Sequence, residues 1–299
     1  MLWQSEQRAN ILNKKGTLLT YHGYIGEKKS LGWGLTGGFF VGVSPDCNVS
    51  KNDLTARAAS HGLDYIQWET YSLTNHHRPI LSLVPGVYKS ILPCHTAFID
   101  LTQGLDHIWD SCKQKGRYGV NYARTHDVKI RFSQDHADIQ AFYTLLKETA
   151  QRDGFFINPY EHYHLIVTCT DAILVLAYHD DTLLAGSILI TDQGITRYYY
   201  GASTSGPKKN LMASYLVQRE GITYAHHRGS HTYDFLGVAP PDDPTHPLVG
   251  VTIFKQKFAP QIVRCSYAYH HHQSWKSLVL MKLKTIKAHL TKTFSSKKK

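Results

Sequence analysis

Along most of this chain, apolar residues either recur at the spacing of a helix or alternate at the spacing of a strand, and the pattern is clearest in the second half. Ile139, Phe142, Leu145, Leu146 and Ala150 fall one, three or four residues apart between Asp135 and Arg152, which predicts an amphipathic helix. Three apolar or alternating runs follow: Ile173 to Tyr178, Leu183 to Thr191 and Thr196 to Gly201. Asp180-Asp181 and Asp192-Gln193-Gly194 separate them, so they predict strands joined by turns. A loop from Ser203 to Lys209, a helix from Leu211 to His227 and a strand from Thr232 to Val238 come next. In the first half the pattern predicts a short helix within residues 1–15, a strand with turns from Gly32 to Val43 and a helix from Asn52 to His61. Strands at Asp64 to Glu69 and Thr96 to Leu101 follow, then a helix from Asp106 to Thr125. The expected fold class is therefore α/β with mixed sheets in two units, residues 1–133 and 134–270, with residues 271–299 as a separate helix and tail.

Composition agrees with a globular chain: 299 residues, 42% hydrophobic and 12% aromatic, are ample for buried cores. The five cysteines include no Cys-x-x-Cys pair, so reduced thiols are the expectation. The start MLWQSEQRAN lacks the basic-then-apolar order of a secretion signal, and no apolar run approaches the about 20 residues that span a bilayer. A cytoplasmic location is expected. The net charge of +10 (33 − 23) is mostly a tail: residues 276–299 hold eight lysines and no acid, leaving 10 − 8 = +2 for the rest. In that tail Trp275, Val279, Leu283, Ile286, Leu290 and Phe294 recur every three or four residues with lysines between them. Such a stripe either packs on the protein body or lies in the headgroup region of an anionic membrane, while its lysines could also meet RNA.

The candidate chemistry concentrates between Tyr233 and Pro260, YDFLGVAPPDDPTHPLVGVTIFKQKFAP. A short strand there leads into a Pro/Asp-rich loop and then Phe254-Lys255-Gln256-Lys257-Phe258. Lysines among phenylalanines are either solvent-facing positions of an ordinary strand or partly desolvated ammoniums able to hold an oxyanion. Lys115 and Arg117 with Tyr118 offer phosphate or nucleic-acid contact, although Tyr118 and Tyr122 could equally be a packing stripe. Tyr198-Tyr199-Tyr200 alternates faces on a strand, dividing between core and pocket. The loop Gly206-Pro-Lys-Lys-Asn210 has one glycine and a proline where a phosphate cradle needs closely spaced backbone N–H groups, so it reads as unfit for coenzyme A. Lys208 and Lys209 could still meet another anion. The histidines at 226, 227, 231 and 270–272 lack metal-ligand spacing, and there is no Gly-x-Ser-x-Gly elbow. No metal and no cofactor are expected.

Three segments together carry a resemblance. They are Tyr233-Asp-Phe-x-Gly with Asp-Pro-x-His-Pro and Gly-x-x-x-Phe-Lys-x-x-Phe258; Lys115-Gly-Arg-Tyr-Gly-Val-Asn-Tyr; and Glu148-Thr-Ala-Gln-Arg-Asp-Gly154 ahead of Tyr163. In this order they resemble the Fem family, the aminoacyl-tRNA-dependent transferases that add amino acids to the stem peptide of peptidoglycan precursors. The resemblance implies two tandem N-acyltransferase-like (GNAT) units, with aminoacyl-tRNA and a peptidoglycan precursor as partners. It makes Lys255 and Phe254 the catalytic candidates. The substrate-binding candidates are Lys115, Arg117, Tyr118, Tyr163, Tyr200, Lys208, Lys209, Tyr215, Asp234 and Lys257. The chain departs from the family pattern at Arg8, Pro159, Lys257 and Ala259. The segment Phe155-Phe-Ile-Asn-Pro-Tyr160 also lacks the arginine that holds a nucleotide diphosphate in the family, which points to a lipid-linked acceptor, and such an acceptor would make peripheral contact of the 275–299 stripe with the inner face of the membrane useful. The alternatives are a coenzyme-A-dependent N-acyltransferase of the same fold and a non-catalytic relative that binds tRNA or the envelope.

Overall fold

The computed structural model describes residues 9, 12–13, 15–21, 24–43, 51–73, 91–266 and 268–296, so the helix expected within residues 1–15 lies largely outside the described residues. Chain order runs β1 (Leu18–Tyr21), β2 (Tyr24–Gly32), β3 (Leu35–Val43), α1 (Lys51–Ser60), β4 (Tyr65–Thr70), β5 (His95–Asp100), α2 (Leu105–Ser111), α3 (Gln114–Thr125), β6 (Lys129–Ser133), α4 (His136–Asp153) and α5 (Tyr160–Cys169). It continues through β7 (Ala172–His179), β8 (Thr182–Asp192), β9 (Ile195–Ser203), α6 (Ala213–His227), β10 (Thr232–Val238), α7 (Val249–Lys255), β11 (Gln261–Arg264), β12 (Ala268–His272) and α8 (Trp275–Ser296). Two compact units result, residues 1–95 with 263–299, and residues 96–262.

The first unit is built on a five-stranded sheet in the order β1-β2-β3-β4-β12. β3 and β4 are parallel, with α1 in the connection between them, and the other neighbours are antiparallel. Successive side chains of a strand point to opposite faces, and every residue of β4 is buried because both faces are covered. Ile66 and Trp68 pack with Leu19, Phe40, Ala58 and Leu63, whereas Tyr65 joins Leu31, Leu35 and Leu280 of α8. On the Tyr65 side a line of polar groups runs along the strand. The Tyr65 hydroxyl donates to Gln67 Oε1 at 2.9 Å, the Gln67 amide donates to Glu69, and Glu69 accepts the Ile91 and Leu92 N–H groups at 2.6 and 2.7 Å. The Glu69 carboxylate, with no exposed surface, is thus held by backbone donors, as a buried acid must be.

The second unit holds a seven-stranded sheet in the order β11-β5-β10-β9-β8-β7-β6. β6 to β9 form an antiparallel meander, and β9 pairs with β10 in parallel. Seven consecutive residues of β8 are buried, the signature of a strand covered on both faces. One face meets α6 through Val175, Ala177 and Leu189, which pack with Leu216, Val217, Ile222 and Ala225. The other meets α4, where Gly186 leaves room for Phe142.

Several sequence expectations are corrected. The division at 133/134 does not hold: β6 pairs residue by residue with β7, so residues 129–133 belong to the second sheet, and the units part at 95/96 and 262/263 instead. The helix from Asp106 to Thr125 is two helices, because Lys113 is extended and Arg117 Nη1 turns back to cap the first of them at the carbonyls of Asp110 (2.9 Å) and Cys112. The Phe254 to Phe258 segment is no strand: α7 runs into a 3₁₀ turn at 256–258, which puts Phe254 and Phe258 on one side with ring centroids 5.8 Å apart. β1, β2, β6, α5, β11 and β12 were not foreseen.

Candidate active site

The centre of the second sheet opens at one point. β9 has nine residues and β10 seven, yet they pair only at Thr232↔Ile195, Tyr233↔Thr196 and Asp234↔Arg197. Past Asp234 the β10 backbone turns, with Leu236 in the left-handed region at φ 57°, a conformation that costs a branched residue energy unless its surroundings impose it. Here the imposing group is Asp234, which has 0% exposure. Its Oδ1 accepts the Leu236 N–H at 2.9 Å and the Thr96 hydroxyl at 2.6 Å, and its Oδ2 lies 3.9 Å from the buried Arg197 guanidinium.

The turn sends two main-chain carbonyls toward α7. Lys255, 4% exposed, donates from Nζ to Gly237 O at 2.7 Å and Leu236 O at 3.2 Å, and the ammonium stands 5.8 Å from the centroid of the Tyr198 ring. An ammonium has three hydrogens, and among the described residues the third meets no acceptor. Burial pulls Lys255 down from 10.5 to about 7, against the opposing pull of the Asp234 charge. Thr252, one turn earlier on α7, fixes the helix to the end of β10 by accepting the Ala239 N–H at 2.8 Å and donating to Leu248 O at 2.7 Å. Phe254 packs beside the lysine, its ring edge-to-face with Tyr215 at 5.1 Å.

α3 closes on this segment through its two glycines. A Cβ at Gly116 would lie 2.5 Å from the Lys257 carbonyl oxygen and one at Gly119 2.7 Å from the Tyr215 ring, so only glycine permits this approach. The Lys113 N–H donates to the same Lys257 carbonyl at 2.9 Å. The structure therefore brings together Lys255, Phe254, Tyr215, Asp234 and the backbone of Lys257.

The other sequence candidates lie elsewhere or act differently. Lys115 and Tyr118 are exposed on α3, and Arg117 serves as the helix cap described above. Asp234 is sealed among protein groups, with no exposed surface. Tyr163 is buried too, its hydroxyl accepting the Asn158 N–H at 3.1 Å. A bulge between the pairs Ile188↔Tyr200 and Leu189↔Tyr198 reverses the alternation of β9, so Tyr198 joins the α6 face while Tyr200 stacks edge-on with Tyr163 of α5 at 4.9 Å. Tyr163 and Tyr200 thus sit across the sheet from Tyr198. Lys208 and Lys209 fall in the 3₁₀ turn Gly206–Leu211, and their side chains lie outside the described set. Sequence reading missed Thr96, Arg197, Leu236 and Thr252. Of these, only Arg197 gave a signal, a guanidinium within an otherwise apolar and aromatic strand.

Comparison with known proteins gives the fold and the family. A crystal structure of FemX is 17% identical with a TM-score of 0.70, covering 94% of both chains. The C-terminal domain of a putative lysylphosphatidylglycerol synthetase from Agrobacterium fabrum is 12% identical with a TM-score of 0.60, covering 94% of this chain and 92% of that one. The structure of L-PGS from Bacillus licheniformis is 12% identical with a TM-score of 0.58, covering 95% and 96%. At these identities the likeness is one of fold. No curated protein sequence matches. The FemAB family model, by contrast, matches residues 35–180 and 173–266, together spanning most of the chain and including the segment from Asp234 to Lys255, and on that match the chain belongs to the FemAB family.

Proposed function

We propose that this protein is an aminoacyltransferase that moves an amino acid from aminoacyl-tRNA to the amino group of a peptidoglycan-precursor stem peptide, with a lipid-linked precursor as the acceptor and the cytoplasm as the place of reaction. The observation that carries the reading is the Lys255 ammonium, buried beside Phe254 and anchored by two carbonyls with one hydrogen left over. Aminoacyl transfer needs no covalent enzyme intermediate. The acceptor amine attacks the ester carbonyl, a tetrahedral oxyanion forms, the ester C–O bond breaks as the amide forms, and the amine's proton ends on the departing ribose hydroxyl. The enzyme's task is to align two substrates and stabilise the oxyanion. A preorganised N–H held out of water suits that task, because it needs no reorientation as charge develops. Phe254 shapes the wall beside the lysine. The segment that lacks a diphosphate-binding arginine, residues 155–160, supports a lipid-linked rather than a nucleotide-linked acceptor.

The test is incubation with radiolabelled aminoacyl-tRNAs and either lipid-linked or nucleotide-linked precursor, followed by identification of the labelled product. Label on the lipid-linked stem peptide is expected. No transfer from aminoacyl-tRNA, together with label from radiolabelled acetyl-coenzyme A reaching an acceptor amine in a parallel incubation, would replace the reading with N-acyl transfer, and tRNA binding without turnover would leave a non-catalytic relative.

A further inference from the structure

We infer that α8 is a membrane-surface helix whose outward face binds anionic lipid headgroups. The helix docks on the first sheet by one side only. Ser277 is buried and bonded to His272 Nδ1 at 3.1 Å, Leu280 sits in the cluster with Leu31, Leu35 and Tyr65, Met281 packs against that cluster, and Lys284 Nζ donates to Leu31 O at 2.6 Å. At ~100° per residue these four positions centre roughly opposite Trp275, Val279, Leu283 and Ile286, which share an arc of about 80°. The second set faces outward, with Trp275 72%, Leu283 46% and Ile286 54% exposed. From Trp275 to Ile286, the apolar stripe visible in the sequence is therefore not what holds the helix to the protein.

The occupant of that face is identified by the charges beside it. Lys276 lies on one flank of the stripe and Lys282 on the other, both exposed, and residues 276–299 contain no acid. A second copy of the helix would bring like charges together. A phosphate backbone would answer the lysines but leave Trp275, Leu283 and Ile286 in water. An anionic bilayer surface answers both, with the stripe at the acyl boundary and the lysines among the headgroups. No described helix is long and apolar enough to cross a membrane, so the contact lies in the plane of the interface.

The test is co-sedimentation of the full chain with vesicles of equimolar phosphatidylglycerol and phosphatidylcholine, and with phosphatidylcholine alone. Pelleting with the anionic vesicles only, reversed by salt near 1 M where the screening length falls to about 3 Å, is expected. Leu283→Asp with Ile286→Asp should weaken partitioning roughly tenfold or more, and Lys276→Ala with Lys282→Ala by about fivefold per lysine. These side chains are exposed, so melting should not change; if the Asp pair lowers it, the Ala pair decides. Absence of wild-type pelleting overturns the inference, as does equal pelleting of the decisive variant. Without vesicle binding, dimerisation that Leu283→Asp abolishes would identify a second copy as the occupant, and tRNA binding that the Ala pair weakens would identify nucleic acid.

Discussion

A lysine whose ammonium is nearly sealed from water must show it in its pH behaviour. Burial lowers Lys255 from 10.5 to about 7, so between those values the unfolded chain binds a proton that the folded chain does not, and this group's contribution to stability rises with pH across the interval. Below about pH 7 both states are protonated and the cost of burying the charge is present in full. Lys255→Met should therefore flatten the dependence of stability on pH between 7 and 10.5, measured by denaturant unfolding at both ends. Its turnover should fall by about 10² or more, the usual loss when an oxyanion donor is removed, and near wild-type rates would sink the assignment. The hydrogen left over for the oxyanion exists only in the ammonium, since a neutral amine has two hydrogens and the Leu236 and Gly237 carbonyls take both. The rate per neutral acceptor amine should therefore decline as pH rises through about 7; a rate that climbs instead would make Lys255 a base. Lys257→Gly should cost less, since Lys257 meets α3 with its carbonyl, which glycine keeps. Asp234→Asn weakens the group that holds Leu236 left-handed and faces Arg197, and should lower stability by about 2–4 kcal/mol, read by calorimetry. Lys255 was singled out by the family resemblance, since lysines among phenylalanines read by themselves as well as solvent-facing positions of a strand. Leu236 was not legible, because its conformation is imposed by Asp234, which is itself held by Thr96, 138 residues from that aspartate along the chain.

Elements with a strong period were read correctly, and those set by packing were not. α4 and β7 to β9 announce themselves through apolar spacing. β6 is a mostly exposed edge strand, so neither run nor alternation marks it, and α7 is too short to show a helical period. The glycines of α3 were legible only as part of a basic and aromatic motif, yet their role is close approach. Gly116→Ala sets a Cβ against main-chain oxygen, which cannot yield, and should cost about 1–3 kcal/mol of stability as an overpacked contact together with a loss of activity as the 256–258 turn shifts. Gly250→Ala on α7 meets nothing within 4 Å and should instead raise stability by about 0.5–1 kcal/mol through helix propensity. If both variants melt alike, the packing account of α3 is wrong.

At the scale of the whole molecule, a ligand that binds only the folded protein raises its melting temperature by mass action. Aminoacyl-tRNA should do so by a few degrees, while acetyl-coenzyme A at the same excess over a micromolar affinity should not; the reverse pattern would favour the coenzyme-dependent alternative. The two-unit α/β plan was legible from element order, but its seam was not, because the strand β12 that completes the first sheet comes after the whole second unit. A chain ending at Ser266 leaves the β4 edge uncovered and removes α8. It should keep a protease-resistant fragment beginning near residue 96 while the first unit is digested, and resistance across residues 18–70 would contradict that. The same arrangement governs the protein's birth on the ribosome. Domains ordinarily fold in the order they are synthesised, but here residues 96–262 form an uninterrupted segment while the earlier unit waits for residues 268–272 to emerge. The unit carrying Lys255 can therefore finish folding first, and the nascent first sheet must wait with β4 unpaired on one side.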